Sequence, residues 1–312
     1  MSKTPSIPQT PEALKSIIQA GKLRDALFVV AGVISLLVGI VTLLALLIDL
    51  AIDGFGRLNY EFFTSFPSRR AGSAGILSAW VGSAVVMLVT ALAAIPMGIA
   101  AGVYLEEYAP KNRLTAFIEI NISNLAGVPS IVYGLMALGV FVYKLGMGQS
   151  VATAGLTLAL LILPVVIITT REAIRAIPQH IREASFAMGA TRWQTVRDHV
   201  LPYSLGGIMT GIIIALSRAI GETAPLITIG ALTFIAFLPP SPILSEPPFV
   251  SFEWLSAPYT VLPIQMFNWT SRPQEAFHVN AAAAGLVLVV MTLSMNALAI
   301  FIRYRFRKRI SW

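Results

Sequence analysis

The chain has 312 residues, of which 56% are hydrophobic and only 12% are charged, and its net charge is +7. Because a soluble domain carries about a quarter charged residues, this composition excludes an ordinary water-soluble protein and makes lipid the main solvent. The absence of cysteine excludes disulfides, thiolate metal sites and a cysteine nucleophile. The histidines His180, His199 and His278 lack the close spacing that is typical of a metal site. We therefore expect a membrane protein without a bound metal.

Six apolar runs follow a polar tail at residues 1–25. The first run, 26–52, far exceeds the ~7–15-residue apolar core of a secretory signal, so it predicts a membrane anchor that is not cleaved. Each run is longer than the ~20 residues that a spanning helix needs. The later runs are 71–105, 120–143, 145–170, 201–238 and 276–302. The sequence thus predicts an all-α polytopic membrane domain of about six transmembrane helices over residues 26–302.

The basic residues are distributed unevenly between the loops. Sixteen lysines and arginines lie in the tail, the second and fourth loops and the C-terminal segment 303–312, whereas the alternate loops hold five. Positive loops face the cytoplasm in multi-pass proteins, so both termini and the second and fourth loops are predicted to be cytoplasmic. The net positive charge is therefore a signal of topology, and nucleic acid is not expected as a partner.

The predicted outward loop at residues 239–275 is rich in proline and aromatic residues, including Trp254, Tyr259 and Trp269. Tryptophan and tyrosine are enriched at membrane–water interfaces, so one interpretation is an interfacial cap. The other interpretation is a docking surface for a periplasmic partner.

The predicted cytoplasmic loop at residues 171–200 has a helix–glycine–helix pattern. Residues from Glu183 to Met188 suit a short helix, Gly189 is placed to end it, and a second helix is expected from Thr191 to Val200. Pro202 is expected to open the next span. Apolar side chains on this loop, at Phe186, Met188 and Trp193, suit a helix that lies in a hydrophobic groove of a partner. The alternative is an ordinary amphipathic loop helix.

The fifth apolar run contains two charges, Arg218 and Glu222, which would share one helix face. Counted from Tyr203, a rise of 1.5 Å per residue places them roughly 22 and 28 Å along the helix. A charge at the bilayer centre costs about 2.5–3.5 kcal/mol, so the arginine must face a partner or a wet cavity. One interpretation is an ion pair that only fastens helices. The other is a pathway site, because the guanidinium fork matches an oxyanion.

The cytoplasmic loop resembles the EAA motif of binding-protein-dependent ABC import permeases. Glu183-Ala184-Ser185 is followed by Gly189 and by Leu201-Pro202 at the family's spacing, although Ser185 and His199 stand where alanine and isoleucine are usual. The resemblance implies a type I importer permease bundle (MetI-like). It also implies a coupling helix that contacts the ATPase, formed by Glu183, Ala184, Phe186, Met188, Gly189 and Trp193. The sequence has no G-x-x-x-x-G-K-[ST] phosphate loop, so ATP and Mg²⁺ are expected on a separate subunit, and this chain is expected to be non-catalytic.

The run at residues 218–226 (RAIGETAPL) resembles the signature of PstA-type phosphate permeases, as do the runs at 126–135 (AGVPSIVYGL) and 104–108 (YLEEY). The resemblance implies phosphate as substrate and the bacterial inner membrane as location. It also implies a PstC-type permease as heterodimer partner, a PstB-type ATPase dimer and a periplasmic PstS-type binding protein. Arg218, Glu222 and Thr223 would then belong to the substrate pathway. Arg171 and Glu172 are a second choice, with snorkelling interface charges as the alternative.

Three other functions are open to such a chain. The nearest is an ABC permease for another oxyanion, molybdate or sulfate. An intramembrane enzyme is disfavoured, because no histidine or aspartate lies at the depth of the span-embedded serines. An ion-driven carrier is disfavoured by the coupling-helix pattern.

Overall fold

The computed structural model describes residues 11–242, 249 and 251–307, and within these residues it is helical with no strand. Residues 1–10 of the predicted tail, 243–248 and 250 of the predicted outward loop, and 308–312 of the basic C-terminus lie outside the described residues. The all-α prediction is confirmed. The α-helices in the described part are α1 Pro11–Gly54, α2 Tyr60–Thr64, α3 Leu77–Val103, α4 Arg113–Leu125, α5 Ser130–Ala137, α6 Val151–Arg175, α7 Gln179–Ala187, α8 Arg192–Thr195, α9 Leu201–Ile220, α10 Ala224–Thr228, α11 Leu262–Thr270 and α12 Glu275–Arg307.

The chain divides into two compact units, Met1–Ile52 and Asp53–Trp312. The described part of the first unit belongs to α1, which continues from residue 11 of the predicted tail through the predicted anchor without a break. Pro11 suits the first helical position, and no proline follows it before Gly54, so nothing interrupts the helix. Nearly all its large apolar side chains from Leu23 onward are exposed, with Leu47 and Leu50 half-buried, as expected of a helix in lipid.

The core of the second unit is formed where α3 and α9 pack against α6. Of the apolar stretch of α6, 67% is buried, more than in any other candidate span of the described chain. Small residues permit this close packing: a Cβ at Gly98 of α3 would come within 2.6 Å of Val166 Cγ1, and a Cβ at Gly211 of α9 would overlap Thr169. Close approach at small residues is the usual basis of helix association in membranes.

The third predicted span, 120–143, is not one straight helix. α4 and α5 meet at a bend of 105°, and α5 continues into a π-helical segment, Leu138–Lys144. Pro129 sits at the N-cap of α5, and a proline disfavours helical geometry in the residue before it, which accounts for the break after Leu125. Within the described residues, five helices are long and apolar enough to span the membrane, or six if the bent pair counts as one span. That number agrees with the prediction of about six.

The fifth predicted span, 201–238, is also different in the structure. α9 ends at Ile220 because Pro225 lacks an N–H and its ring would clash with the carbonyl of Gly221. Glu222 therefore lies two residues beyond the end of the helix, and the prediction that it belongs to this helix is wrong. At the other end, Pro202 does not open a new helix: α8, the π-helical segment Val196–Val200 and α9 run on as one helix, Arg192–Ile220.

The predicted outward loop contains α11, and some of its aromatic residues pack inward, whereas Phe252 and Phe267 are 70% and 56% exposed. Trp269 is fully buried in a cluster with Phe62 and Phe277, and Tyr259 is also buried. The interfacial-cap interpretation is therefore wrong for Trp269 and Tyr259. Burial also raises the pKa of Tyr259.

Candidate functional site

Arg218 and Glu222 flank the end of α9. Arg218 Nε donates to Glu222 Oε1 over 3.4 Å, and the two side chains are 41% and 19% exposed. Charge-assisted hydrogen bonds usually measure about 2.7–2.9 Å, so this pair is loose. No further hydrogen bond of Arg218 is found within the described ranges. The carbonyl end of a helix favours a cation, which suits Arg218 in the last turn. The result is a guanidinium with donors to spare.

Neighbouring elements bring further polar groups to this helix end. Thr223 is the half-buried residue before α10, and its carbonyl accepts from the N–H groups of Leu226 and Ile227 at 3.1 and 3.0 Å. α5 packs closely on α10, because a Cβ at Gly134 would come within 2.6 Å of Pro225 Cα. The structure thus brings Arg218, Glu222 and Thr223 together at one helix break beside α5. This arrangement can offer a cation and a hydroxyl to an anion.

The loop helix α7 ends as the sequence predicts. Gly189 has φ +84°, its N–H donates to Phe186 O over 2.9 Å, and the N–H of Ala190 donates to Ser185 O over 3.2 Å. These two bonds define a Schellman motif, which glycine favours because it has no Cβ. Thr191 and Gln194 then form a capping box that starts α8.

The apolar side chains of this loop point away from the bundle. Phe186, Met188 and Trp193 are 46%, 88% and 58% exposed. Glu183, Ala184 and Gly189 are exposed as well, so each of the predicted coupling residues is accessible.

The departure from the motif at Ser185 has a structural reason. Ser185 Oγ lies 2.9 Å from Thr195 Oγ1, and both side chains are buried between α7 and α8. An alanine there could not make this contact.

Arg171 and Glu172, the second choice for pathway residues, have different environments. Arg171 binds Glu119 over 2.7 Å and lies 3.5 Å from Glu106, whereas Glu172 is exposed. α6 and α9 are antiparallel, with Thr169 opposite Gly211. Arg171 is therefore level with residue 209, nine residues or about 14 Å along the helix from Arg218. These charges do not join the Arg218 site.

Sequence reasoning missed an ion-pair network at the end of α3. The π-helical segment Tyr104–Tyr108 supplies Glu106 and Glu107, which bind arginines of α6 and α7. A signal was present, since two acidic residues lie in a loop on the same predicted side as the basic fourth loop. The predicted topology rests on the distribution of the cations alone.

Comparisons with known proteins agree with this architecture. Residues 94–312 match the family described as binding-protein-dependent transport system inner membrane component. The Bacillus subtilis (strain 168) protein named "Probable ABC transporter permease protein YqgI" is 33% identical over 79% of this chain and 84% of its own length. The phosphate transport system permease protein PstA of Mycobacterium leprae is 30% identical over 89% of this chain and 88% of its own length. That of Yersinia pestis is 31% identical over 88% of each chain.

Two solved structures have a similar fold. A bacterial alginate ABC transporter, in complex with a periplasmic protein bound to an alginate pentasaccharide, gives a TM-score of 0.64 at 15% identity, covering 91% of this chain and 96% of that one. The inward-facing methionine ABC transporter MetNI gives a TM-score of 0.55 at 19% identity, covering 76% of this chain and 96% of that one. Such low identities show the fold alone, and they confirm the predicted importer-permease bundle. The chain belongs to the family of binding-protein-dependent transport system inner membrane components, the membrane permease subunits of ABC importers.

Proposed function

We propose that this chain is the permease subunit of an ATP-driven importer that carries inorganic phosphate across the bacterial inner membrane. The observation that carries the proposal is the loose, partly exposed Arg218–Glu222 pair at the broken end of α9. Glu222 balances the guanidinium when no substrate is present and yields its place when an anion arrives. Thr223 adds a hydroxyl beside the same break.

The exposure of Arg218 favours a transport pathway over a helix fastener. A buried fastening pair would be short and enclosed, because a charge in the membrane interior is costly unless it is fully paired. Arg218 is 41% exposed instead, so a wet cavity or a second subunit must face it. A homologous PstC-type permease is the partner that we propose, with the pathway between the two subunits.

Phosphate is favoured over other oxyanions by the relatives whose names state a substrate. The PstA proteins of Mycobacterium leprae and Yersinia pestis are named as phosphate permeases, whereas the name of YqgI states no substrate. A guanidinium also accepts molybdate or sulfate, so these anions define the alternative.

The exposed loop helix α7 is the proposed contact with the ATPase subunit. Phe186, Met188 and Trp193 offer a hydrophobic surface that suits the groove of a PstB-type ATPase dimer. ATP and Mg²⁺ bind to that subunit, and this chain performs no covalent chemistry. A PstS-type protein delivers phosphate on the opposite side, and both termini of this chain are cytoplasmic.

Uptake of radiolabelled phosphate tests the proposal, in cells whose only high-affinity phosphate uptake depends on this chain. Unlabelled phosphate should suppress the uptake, whereas an equal excess of molybdate or sulfate should leave it nearly unchanged. Suppression by molybdate or sulfate as strong as that by phosphate would favour the alternative.

A further inference from the structure

The junction between the loop helix α7 and the end of α3 is held by a nearly buried ion pair. Arg182 donates to Glu107 Oε1 from Nη2 over 2.7 Å and from Nε over 3.0 Å, and the two side chains are 17% and 10% exposed. Arg182 also donates to the carbonyls of Ile177 and Ile174, at 2.9 and 3.0 Å. The guanidinium therefore ties α7 both to α3 and to the end of α6.

The segment Tyr104–Tyr108 also contacts α6 and α8. Glu106 accepts two hydrogen bonds from Arg175 of α6, at 2.9 and 3.1 Å. The guanidinium of Arg192, the first residue of α8, lies 5.7 Å from the centre of the Tyr108 ring. One turn at the end of α3 thus contacts α6, α7 and α8.

Apolar packing supports the same junction. Ile174, Ile177 and Val200 are buried together, and Val103 of α3 and Ile181 of α7 pack against them. Opening the junction would expose this cluster and leave a nearly buried charge without its partner, which is strongly unfavourable. The exposed pair Arg197–Asp198, at 3.7 Å, has no such enclosure and contributes little.

From this geometry we propose that Glu107 and Arg182 are positioning residues that clamp α7 rigidly to α3, so that a push on the exposed face of α7 moves α3. The inference rests on the proposed function of α7 as the contact with an ATPase. It adds the route by which the movement enters the transmembrane bundle: α3 packs along α6, the central helix. The clamp stays closed throughout the transport cycle.

A double-mutant cycle in proteoliposomes tests the clamp, using the complete complex and the anion that the wild type transports. The variants are Glu107→Gln, Arg182→Gln and the double variant, and the measured quantity is ATP hydrolysed per anion imported. Each single variant should raise this ratio by about fivefold or more, and the double variant should be no worse than the worse single variant. Arg113→Gln, at an exposed arginine of α4, is the matched control and should leave the ratio unchanged.

Two results of this cycle would overturn the clamp. One is an unchanged ratio in both single variants. The other is a parallel fall of hydrolysis and uptake with loss of the assembled complex, which would indicate a purely structural role. Because the transported anion is chosen from the wild type, a failure of the phosphate assignment leaves this test intact.

Cross-linking tests whether the clamp stays closed. The chain has no cysteine, so Glu107→Cys and Arg182→Cys can be joined selectively by a bifunctional thiol reagent in a complex with cysteine-free partners. The double variant should be uncoupled before cross-linking, and the cross-link should return the ratio towards the wild-type value. If the cross-link stops transport and its cleavage restores it, the junction opens during the cycle and the proposal is wrong.

Discussion

Ser217 of α9, the residue before Arg218, donates from its Oγ to Asn296 Oδ1 of α12 over 2.7 Å. A second polar contact joins the same helices, because Arg303 Nη1 donates to Thr210 Oγ1 over 2.8 Å. The two contacts have one antiparallel register, since the partners are seven residues apart on each helix. They fix the rotation of α9, and so the direction in which Arg218 points.

The first prediction concerns this helix contact. Asn296→Ala should lower the thermal stability of the purified complex, by about 0.6–1.7 kcal/mol in free energy, which is typical of hydrogen bonds between membrane helices. Anion selectivity should stay unchanged, because Asn296 is not part of the proposed site and the Arg303–Thr210 contact still holds the register of α9. Thermal unfolding and uptake competition measure the two effects. A change of selectivity would place Asn296 in the pathway.

The second prediction concerns the arginine at the end of α9. Arg218→Ala should reduce uptake at least about tenfold, since a hydrogen bond to a charged group is worth about 1.5–3 kcal/mol. Arg218→Lys should retain part of the activity, because it keeps the charge and loses the planar fork. Uptake is measured together with the amount of protein in the membrane fraction, which should not fall. Normal transport by Arg218→Ala would contradict the pathway role.

The third prediction concerns Gly189, whose φ of +84° is unfavourable for residues with a Cβ. A Cβ there meets no atom within 4 Å, so the cost is conformational and amounts to about 1–2 kcal/mol. Gly189→Val should distort the end of α7 and raise ATP hydrolysis per imported anion. Gly189→Asn is the matched control and should be milder, since asparagine tolerates this conformation. Equal ratios in the wild type and Gly189→Val would contradict a coupling role.

The fourth prediction concerns the exposed face of the loop. Trp193→Ala should weaken copurification of the ATPase subunit, because buried tryptophans at interfaces often contribute about 2 kcal/mol or more. Phe28→Ala in α1 removes an exposed aromatic residue of the first unit and serves as the control. Retention of the ATPase by Trp193→Ala at the level of this control would exclude the residue from the contact.

The fifth prediction separates Arg171 from Arg218. Arg171 is mostly buried against Glu119 and Glu106, so Arg171→Ala leaves Glu119 without its cation, whereas Glu106 keeps Arg175. Glu119 is 34% exposed, so the loss of its cation costs less than the ~3–5 kcal/mol of a fully buried pair, but the abundance of the protein in the membrane should still fall. Quantitative immunoblots compare the membrane abundance of Arg171→Ala with that of Arg218→Ala. If the abundance of Arg171→Ala is unchanged and its uptake is lost, Arg171 belongs to the transport pathway.

The sequence predicts best those features that depend on local chemistry. Span lengths follow from hydropathy, and the end of α7 follows from one glycine at a position whose positive φ favours glycine. Pro225 and Pro129 predict local kinks, but hydropathy does not report where a helix stops inside an apolar region, so neither the end of α9 at Ile220 nor the size of the 105° bend was predicted. Both breaks have a proline nearby, which is a weak signal because membrane helices tolerate proline.

The Glu107–Arg182 pair illustrates what local chemistry leaves out. The two residues are far apart in the chain, and their contact depends on how α3, α6 and α7 pack. The burial of Trp269 has the same origin, because an aromatic residue in a loop carries no sign of the cluster that encloses it.

The bend between α4 and α5 has a consequence for the life of the protein in the membrane. α4 buries none of its side chains, and it exposes the amides Asn121 and Asn124 just before the bend. Hydrocarbon cannot satisfy such groups, nor the irregular backbone beside them. A solitary copy would therefore be costly to keep in the bilayer, and its half-life should rise and fall with the supply of a companion subunit that covers this surface.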